Sequence, residues 1–109
     1  MNRYVAILLI LLSFAAKADQ SNENSQSLVI ENHRFIPSEF SVPAGKKIKL
    51  QINNKDSTPE EFESHDLNRE KIIPAQSTVT IYIGPLKPGR YSFFGEFNEK
   101  TAQGIVIAE

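Results

Sequence analysis

The chain has 109 residues with 12 basic, 13 acidic and two histidine side chains, a net charge near −1, and no cysteine. That balance offers no basic stripe to neutralise phosphates, which argues against a nucleic-acid partner. The missing cysteine removes disulfides, thiol catalysis and thiolate metal sites together, so a small domain must hold on core packing, with or without a metal.

Met1-Asn2-Arg3 gives a positive start, and residues 5–14 form an apolar core too short to span a bilayer. Ala16-Lys17-Ala18 then supplies a small-x-small cleavage pattern. Residues 1–18 are therefore expected to be a cleavable signal peptide that sends the protein to the periplasm. Removing Arg3 and Lys17 with it leaves ten basic against thirteen acidic side chains, a net charge near −3. Residues 19–27 are polar and read as a flexible leader, and residues 28–109 as one domain.

From Leu28 onward the hydrophobic pattern has period two. Leu28 and Ile30 alternate with Val29 and Glu31, and Phe40 and Val42 run into the turn Pro43-Ala44-Gly45. Ile48, Leu50 and Ile52 alternate with Lys47, Lys49 and Gln51, the mark of a strand with one wet face. Residues 54–73 are too polar for a core strand throughout, and a strand at about 61–64 followed by an exposed crossover is expected there. Val79, Ile81 and Ile83 alternate with polar neighbours, and residues 91–94 and 105–108 supply the last two strands. The pattern predicts an all-β Greek-key sandwich of about seven strands. Leu86-Lys87-Pro88-Gly89-Arg90-Tyr91 fits a tyrosine corner, with the hydroxyl bonded to an upstream backbone group.

Chemistry concentrates in Glu60-Glu61-Phe62-Glu63-Ser64-His65-Asp66. In an extended strand Glu61 and Glu63 share one face while Phe62 points inward. With His65 they make an oxygen, oxygen, nitrogen set suited to Fe(II), Fe(III), Cu(II) or Mn(II) and poorly suited to Cu(I). A solvated acidic loop is the plainer alternative. Glu96 is a second candidate, flanked by Phe94 and Phe97 and so expected to be partly desolvated. Asn98 is a weak candidate oxygen ligand, with stabilisation of a turn by an Asx bond as its commoner role, and His33 reads as an exposed turn residue. No nucleophile elbow, phosphate loop or His-Glu-x-x-His motif is present, and no small-molecule substrate suggests itself.

Phe35-Ile36-Pro37, Val42-Pro43-Ala44-Gly45, Asn53-Asn54, Glu61-Phe62-Glu63-Ser64 and the run from Gly84-Pro85-Leu86 through Tyr91-Ser92-Phe93-Phe94 together resemble the cupredoxin-like domain family. The resemblance covers roughly residues 27–109. Within the family it is similar to the small exported proteins that accompany bacterial iron permeases of the high-affinity ferrous uptake type. It implies a cupredoxin-like sandwich and a periplasmic protein that binds iron or copper, delivering ferrous iron to an inner-membrane permease or helping to oxidise it. Against blue-copper relatives, Gly95 stands where the thiolate ligand falls, Asn98 where the second imidazole falls, and Ala102 or Gln103 near the thioether. A type 1 copper centre is therefore not expected. The permease-associated proteins carry a loop resembling Phe-Phe-Asp-Asp-Phe-His where this chain has Phe93-Phe94-Gly95-Glu96-Phe97-Asn98. Glu61, Glu63 and Glu96 carry over from that resemblance, whereas His65 is proposed from the residues alone. Such a metal would sit at the end of the sandwich where the crossover and the last hairpin meet. The alternative is a metal-free module that keeps the scaffold and docks a membrane or periplasmic partner through its acidic loop.

Overall fold

The computed structural model describes residues 24–109; the expected signal segment and the start of the leader lie outside them. The strands in chain order are β1 (Ser25–Glu31), β2 (Arg34–Ile36), β3 (Glu39–Val42), β4 (Ile48–Asn54), β5 (Glu60–Ser64), β6 (Arg69–Ile73), β7 (Ser77–Ile83), β8 (Gly89–Gly95) and β9 (Gln103–Ala108). One turn of 3₁₀ helix, Glu96–Asn98, joins the last two. They form two mixed sheets, ordered β2-β1-β4-β7 and β3-β9-β8-β5-β6, and the chain passes repeatedly from one sheet to the other. The pairs β1–β4 and β3–β9 are parallel and the rest antiparallel.

The fold is the expected all-β sandwich, with nine strands among the described residues where about seven were expected. The two additions are β2 and β6. In β2 only Phe35 is buried, and in β6 only Ile73 is, so neither shows an alternation that a sequence pattern can register. Another difference lies at the start, where Ser25-Gln26-Ser27, expected in the leader, already pair with Lys49-Leu50-Gln51 of β4. Backbone pairing to a neighbouring strand needs no apolar side chain, so polar residues can begin a strand.

Where alternation is visible it marks the core. Ile48, Leu50 and Ile52 of β4 are fully buried while Lys49 and Gln51 face solvent. Between the sheets Phe62 and Phe93 stack at 5.0 Å, and Phe35 meets Phe93 edge-on at 5.0 Å. Each fully buried ring stabilises the fold by about 1.5–3 kcal/mol through area alone, with about 0.5–1.5 kcal/mol more per ring pair. Gly104 makes that cluster possible, because a Cβ there would lie 2.2 Å from Phe93 Cζ.

Two polar devices fix the strand ends. Asn54, fully buried, donates from Nδ2 to Thr58 O at 2.9 Å and Ile73 O at 3.1 Å, and its Oδ1 accepts from Asp56 N–H at 2.9 Å. It thereby ties β4 of one sheet to the end of β6 in the other. Tyr91 forms the expected tyrosine corner, its hydroxyl donating to Lys87 O at 2.7 Å.

Candidate metal site

In β5 the parity of the strand decides every role. Glu60, Phe62 and Ser64 point inward and are buried, while Glu61 and Glu63 stand half-buried on the outer face of the five-stranded sheet. Strand β6 pairs so that Glu63 lies opposite Glu70 and Glu61 opposite Ile72. The result is a cluster in which Glu61, Glu63 and Glu70 each bring a carboxylate oxygen within 4.8 Å of the others. This places the carboxylates on a sheet face, away from the end of the sandwich where the sequence reading set the metal.

Electrostatics make the cluster unusual. Among the described residues no lysine or arginine forms an ion pair with Glu61, Glu63, Glu70 or Glu96; the ion pairs there are His33–Asp56 and Arg90–Glu39. The nearby Arg69 instead donates to Tyr82 O and Asn68 O. The repulsion is relieved by a proton. The Glu61 carboxyl is pushed up to about 7, chiefly by its hydrogen bond with Glu70, then by desolvation and by the charges of Glu70, Glu63 and Glu96. A site that holds a proton between carboxylates for want of a basic partner is also a site where a cation can replace that proton.

The β5–β6 loop borders this face. Glu63, Ser64, His65, Asn68, Arg69 and Glu70 line a shallow groove of about 310 Å³. His65 is exposed, with its ring 5.8 Å from that of Phe94. It shares the groove with Glu63 and Glu70 but lies outside the tight carboxylate cluster. The loop is held from both sides: Ser64 Oγ donates to Ser92 O and accepts from Leu67 N–H, and Asp66 Oδ2 accepts from the N–H and hydroxyl of Ser92. Those two Ser92 donors hold the Asp66 carboxyl below its usual range.

Glu96 sits on the 3₁₀ turn and reaches the cluster only through its charge on Glu61. It is exposed rather than desolvated, because Phe97 beside it is 49% exposed and Phe94 only half-buried. Asn98 makes no local Asx bond and instead donates from Nδ2 to Glu60 Oε2 at 2.7 Å. His33 lies in an exposed turn as expected, and the turn is held by Asp56, whose two carboxylate oxygens accept from Asn32 N–H and His33 N–H.

The residues that sequence reasoning passed over are Glu60 and Glu70. The parity that sends Glu61 and Glu63 outward sends Glu60 inward, but a glutamate is tenable there only through donors from Phe97 and Asn98, which the strand itself does not reveal. Glu70 sits in a mixed-charge run, and only the register of β5 with β6 brings it opposite Glu63.

A thiolate copper centre does not fit these residues. The chain has no cysteine, and Gly95 leaves no room for a side chain, because a Cβ there would lie 2.6 Å from Glu60 Cδ. The fold nonetheless matches copper proteins. The metal-binding domain of the Cu(I)-exporting P-type ATPase CopA of Streptococcus pneumoniae D39 superposes with a TM-score of 0.69 at 14% identity, over 78% of this chain and 84% of that one. The blue copper protein auracyanin A of Chloroflexus aurantiacus gives 0.67 at 12% identity, over 78% and 98%. At these identities the likeness is one of fold. Uncharacterized protein RP394 of Rickettsia prowazekii (strain Madrid E) is 41% identical over 116 aligned residues, covering 97% of this chain and 93% of the relative. The profile of the cupredoxin-like domain matches residues 4–108, and the chain belongs to that family.

Proposed function

We propose that the protein is an exported metal-binding accessory of iron uptake. It binds a hard cation, iron or oxidised copper, at Glu61, Glu63 and Glu70 and passes it to an inner-membrane iron permease and its periplasmic partners. The observation that carries this reading is the cluster of three carboxylates within 4.8 Å of one another, with no basic side chain among the described residues paired to them. An all-oxygen set of this kind suits Fe(II), Fe(III), Mn(II) or Cu(II), and His65 in the adjoining groove offers a nitrogen at its rim. Glu96 adds negative charge from the side of β8. A site on a sheet face leaves coordination positions to water, so metal can exchange without the sandwich opening. Oxidising ferrous iron there requires a separate electron acceptor, and binding with delivery is the activity proposed.

Calorimetric titration of the purified protein with Fe(II), Fe(III), Cu(II) and Mn(II), repeated with Glu63→Gln, tests it. One saturable site that weakens by at least about tenfold on loss of a ligand carboxylate is the expected result. Silence for all four ions, or unchanged binding in the variant, overturns it.

One observation favours a second reading, in which the protein docks a partner without metal. Phe97 is 49% exposed on a turn whose backbone is fixed by the Phe97 N–H bond to Glu60. Association with permease-containing membranes that survives chelation and is lost in Phe97→Ala supports that reading over the first.

A further inference from the structure

The loop end of the sandwich is built around a carboxylate that the outer-face site does not use. Glu60, the first residue of β5, points inward and is 1% exposed. Its Oε1 accepts from the backbone N–H groups of Glu61 and Phe97, each at 2.9 Å, and its Oε2 accepts from Asn98 Nδ2 at 2.7 Å. Around it the loop closes on itself: Gly95 N–H donates to Ala102 O at 2.8 Å, and Ala102 N–H donates to Asn98 O at 2.8 Å. Gly95 is required at its position, since a Cβ there would stand 2.6 Å from Glu60 Cδ and 2.7 Å from Ala102 Cβ. A carboxylate taken out of water is costly unless its oxygens are satisfied, and here three N–H donors do so.

Gly95 and Asn98 stand where the sequence resemblance set a thiolate and an imidazole, and Ala102, with Gln103 as the alternative, stands near the thioether. Gly95, Asn98 and Ala102 surround the Glu60 carboxylate instead. We infer that Glu60 is a resident anionic clamp at this end of the sandwich, standing where the fold's relatives hold a metal. It draws Gly95, Phe97 and Asn98 together as a central ion does, with the polarity reversed: the loop supplies donors and the centre supplies the acceptor. Two consequences follow. The loop is ordered without metal, and a metal that the protein binds lies elsewhere, independently of whether the outer-face cluster is its site. The clamp also fixes the turn that carries Glu96, so Glu60 is a positioning residue for that charge.

Backbone amide exchange of the loop tests the clamp. In chelator-treated protein the Phe97 and Ala102 amides are expected to exchange slowly, and adding Cu(I), Cu(II) or Fe(II) leaves their rates unchanged. Glu60→Gln sets an amide nitrogen against that of Asn98, and Asn98→Ala removes one donor while leaving the core intact. Both are expected to speed Phe97 exchange by roughly 10- to 100-fold, the effect of weakening a hydrogen bond to a carboxylate. Should Glu60→Gln not fold, Asn98→Ala gives the same readout alone. Fast exchange in the chelated wild type overturns the inference. So does slower exchange on adding metal, because the loop would then have a second centre. Unchanged rates in the folded variants also overturn it.

Discussion

The Glu61 carboxyl hydrogen-bonds Glu70 diagonally across the β5–β6 ladder, two residues along from the directly opposed pair Glu63 and Glu70. Three carboxylates on one face of two paired strands repel, and like charges so placed destabilise a sheet unless something intervenes. The intervening particle is a proton, and it makes the cluster sensitive to neutral pH.

The first prediction concerns stability. The Glu61 carboxyl is raised from 4.5 to about 7, so between those values the folded chain keeps a proton that the unfolded chain has released. The stability that Glu61 contributes is therefore fully present below pH 4.5 and is lost as pH rises through 7. Asp66 works in the opposite sense: its carboxyl lies below the ordinary 3.8, so its contribution is present above that value and lost as pH falls beneath it. These two groups alone put maximum stability near pH 4 to 4.5. Urea midpoints measured from pH 3 to 8 are expected to show both limbs, and Glu70→Gln to flatten the upper one. An upper limb unchanged in that variant contradicts the assignment.

A metal that uses the cluster must displace the same proton. Below pH 7 the apparent affinity is expected to rise by about tenfold per pH unit, the signature of one proton released per ion bound, and to level off above it. Calorimetry in two buffers of different ionisation enthalpy measures that proton directly. Binding that is independent of pH between 5.5 and 8 places the ion away from Glu61.

How much of this was legible in the sequence follows from side-chain parity and edge position. β4 and β7 alternate cleanly because one face is buried and the other wet, and Phe62 between Glu61 and Glu63 fixes the face of those carboxylates. β6 hid itself because an edge strand with four exposed residues of five carries no periodic signal. Glu70 was hidden with it, since its place opposite Glu63 is a property of pairing, which local sequence does not encode. Glu60 was hidden for a different reason. A glutamate at a strand start reads as solvated, and its burial depends on donors from Phe97 and Asn98, 37 and 38 residues away.

Asn54 is expected to matter more for stability than any surface charge. Asn54→Ala strips Ile73 O, Thr58 O and Asp56 N–H of a shared partner at a fully buried position. Leaving buried polar groups unsatisfied costs about 1–3 kcal/mol each, so a loss of about 2–4 kcal/mol and a fall in Tm of roughly 10–20 °C are expected. Asn54→Asp, which keeps the acceptor for Asp56 but turns a carboxylate toward two carbonyls, is expected to be at least as damaging. Scanning calorimetry of both variants checks the order, and a loss under 1 kcal/mol in Asn54→Ala removes the residue from the clamp between the sheets.

Gly104 and Gly45 separate steric from conformational demand. At Gly104 a Cβ would meet Phe93 Cζ at 2.2 Å, whereas at Gly45 it would meet nothing within 4 Å but would force a side chain onto a φ of +77°. Gly104→Ala is expected to cost about 1–3 kcal/mol through overpacking, and Gly45→Ala about 1–2 kcal/mol through the left-handed backbone. The magnitudes overlap, but the coupling to Phe93 does not. Phe93→Leu removes the ring atom that Gly104→Ala strikes, so the double variant should be more stable than the sum of the singles by more than about 0.5 kcal/mol. Paired with Gly45→Ala, the same Phe93→Leu change should be additive. Coupling of equal size at both glycines would show that Phe93 acts through general core loosening, and that the close approach at Gly104 is not what selects glycine there.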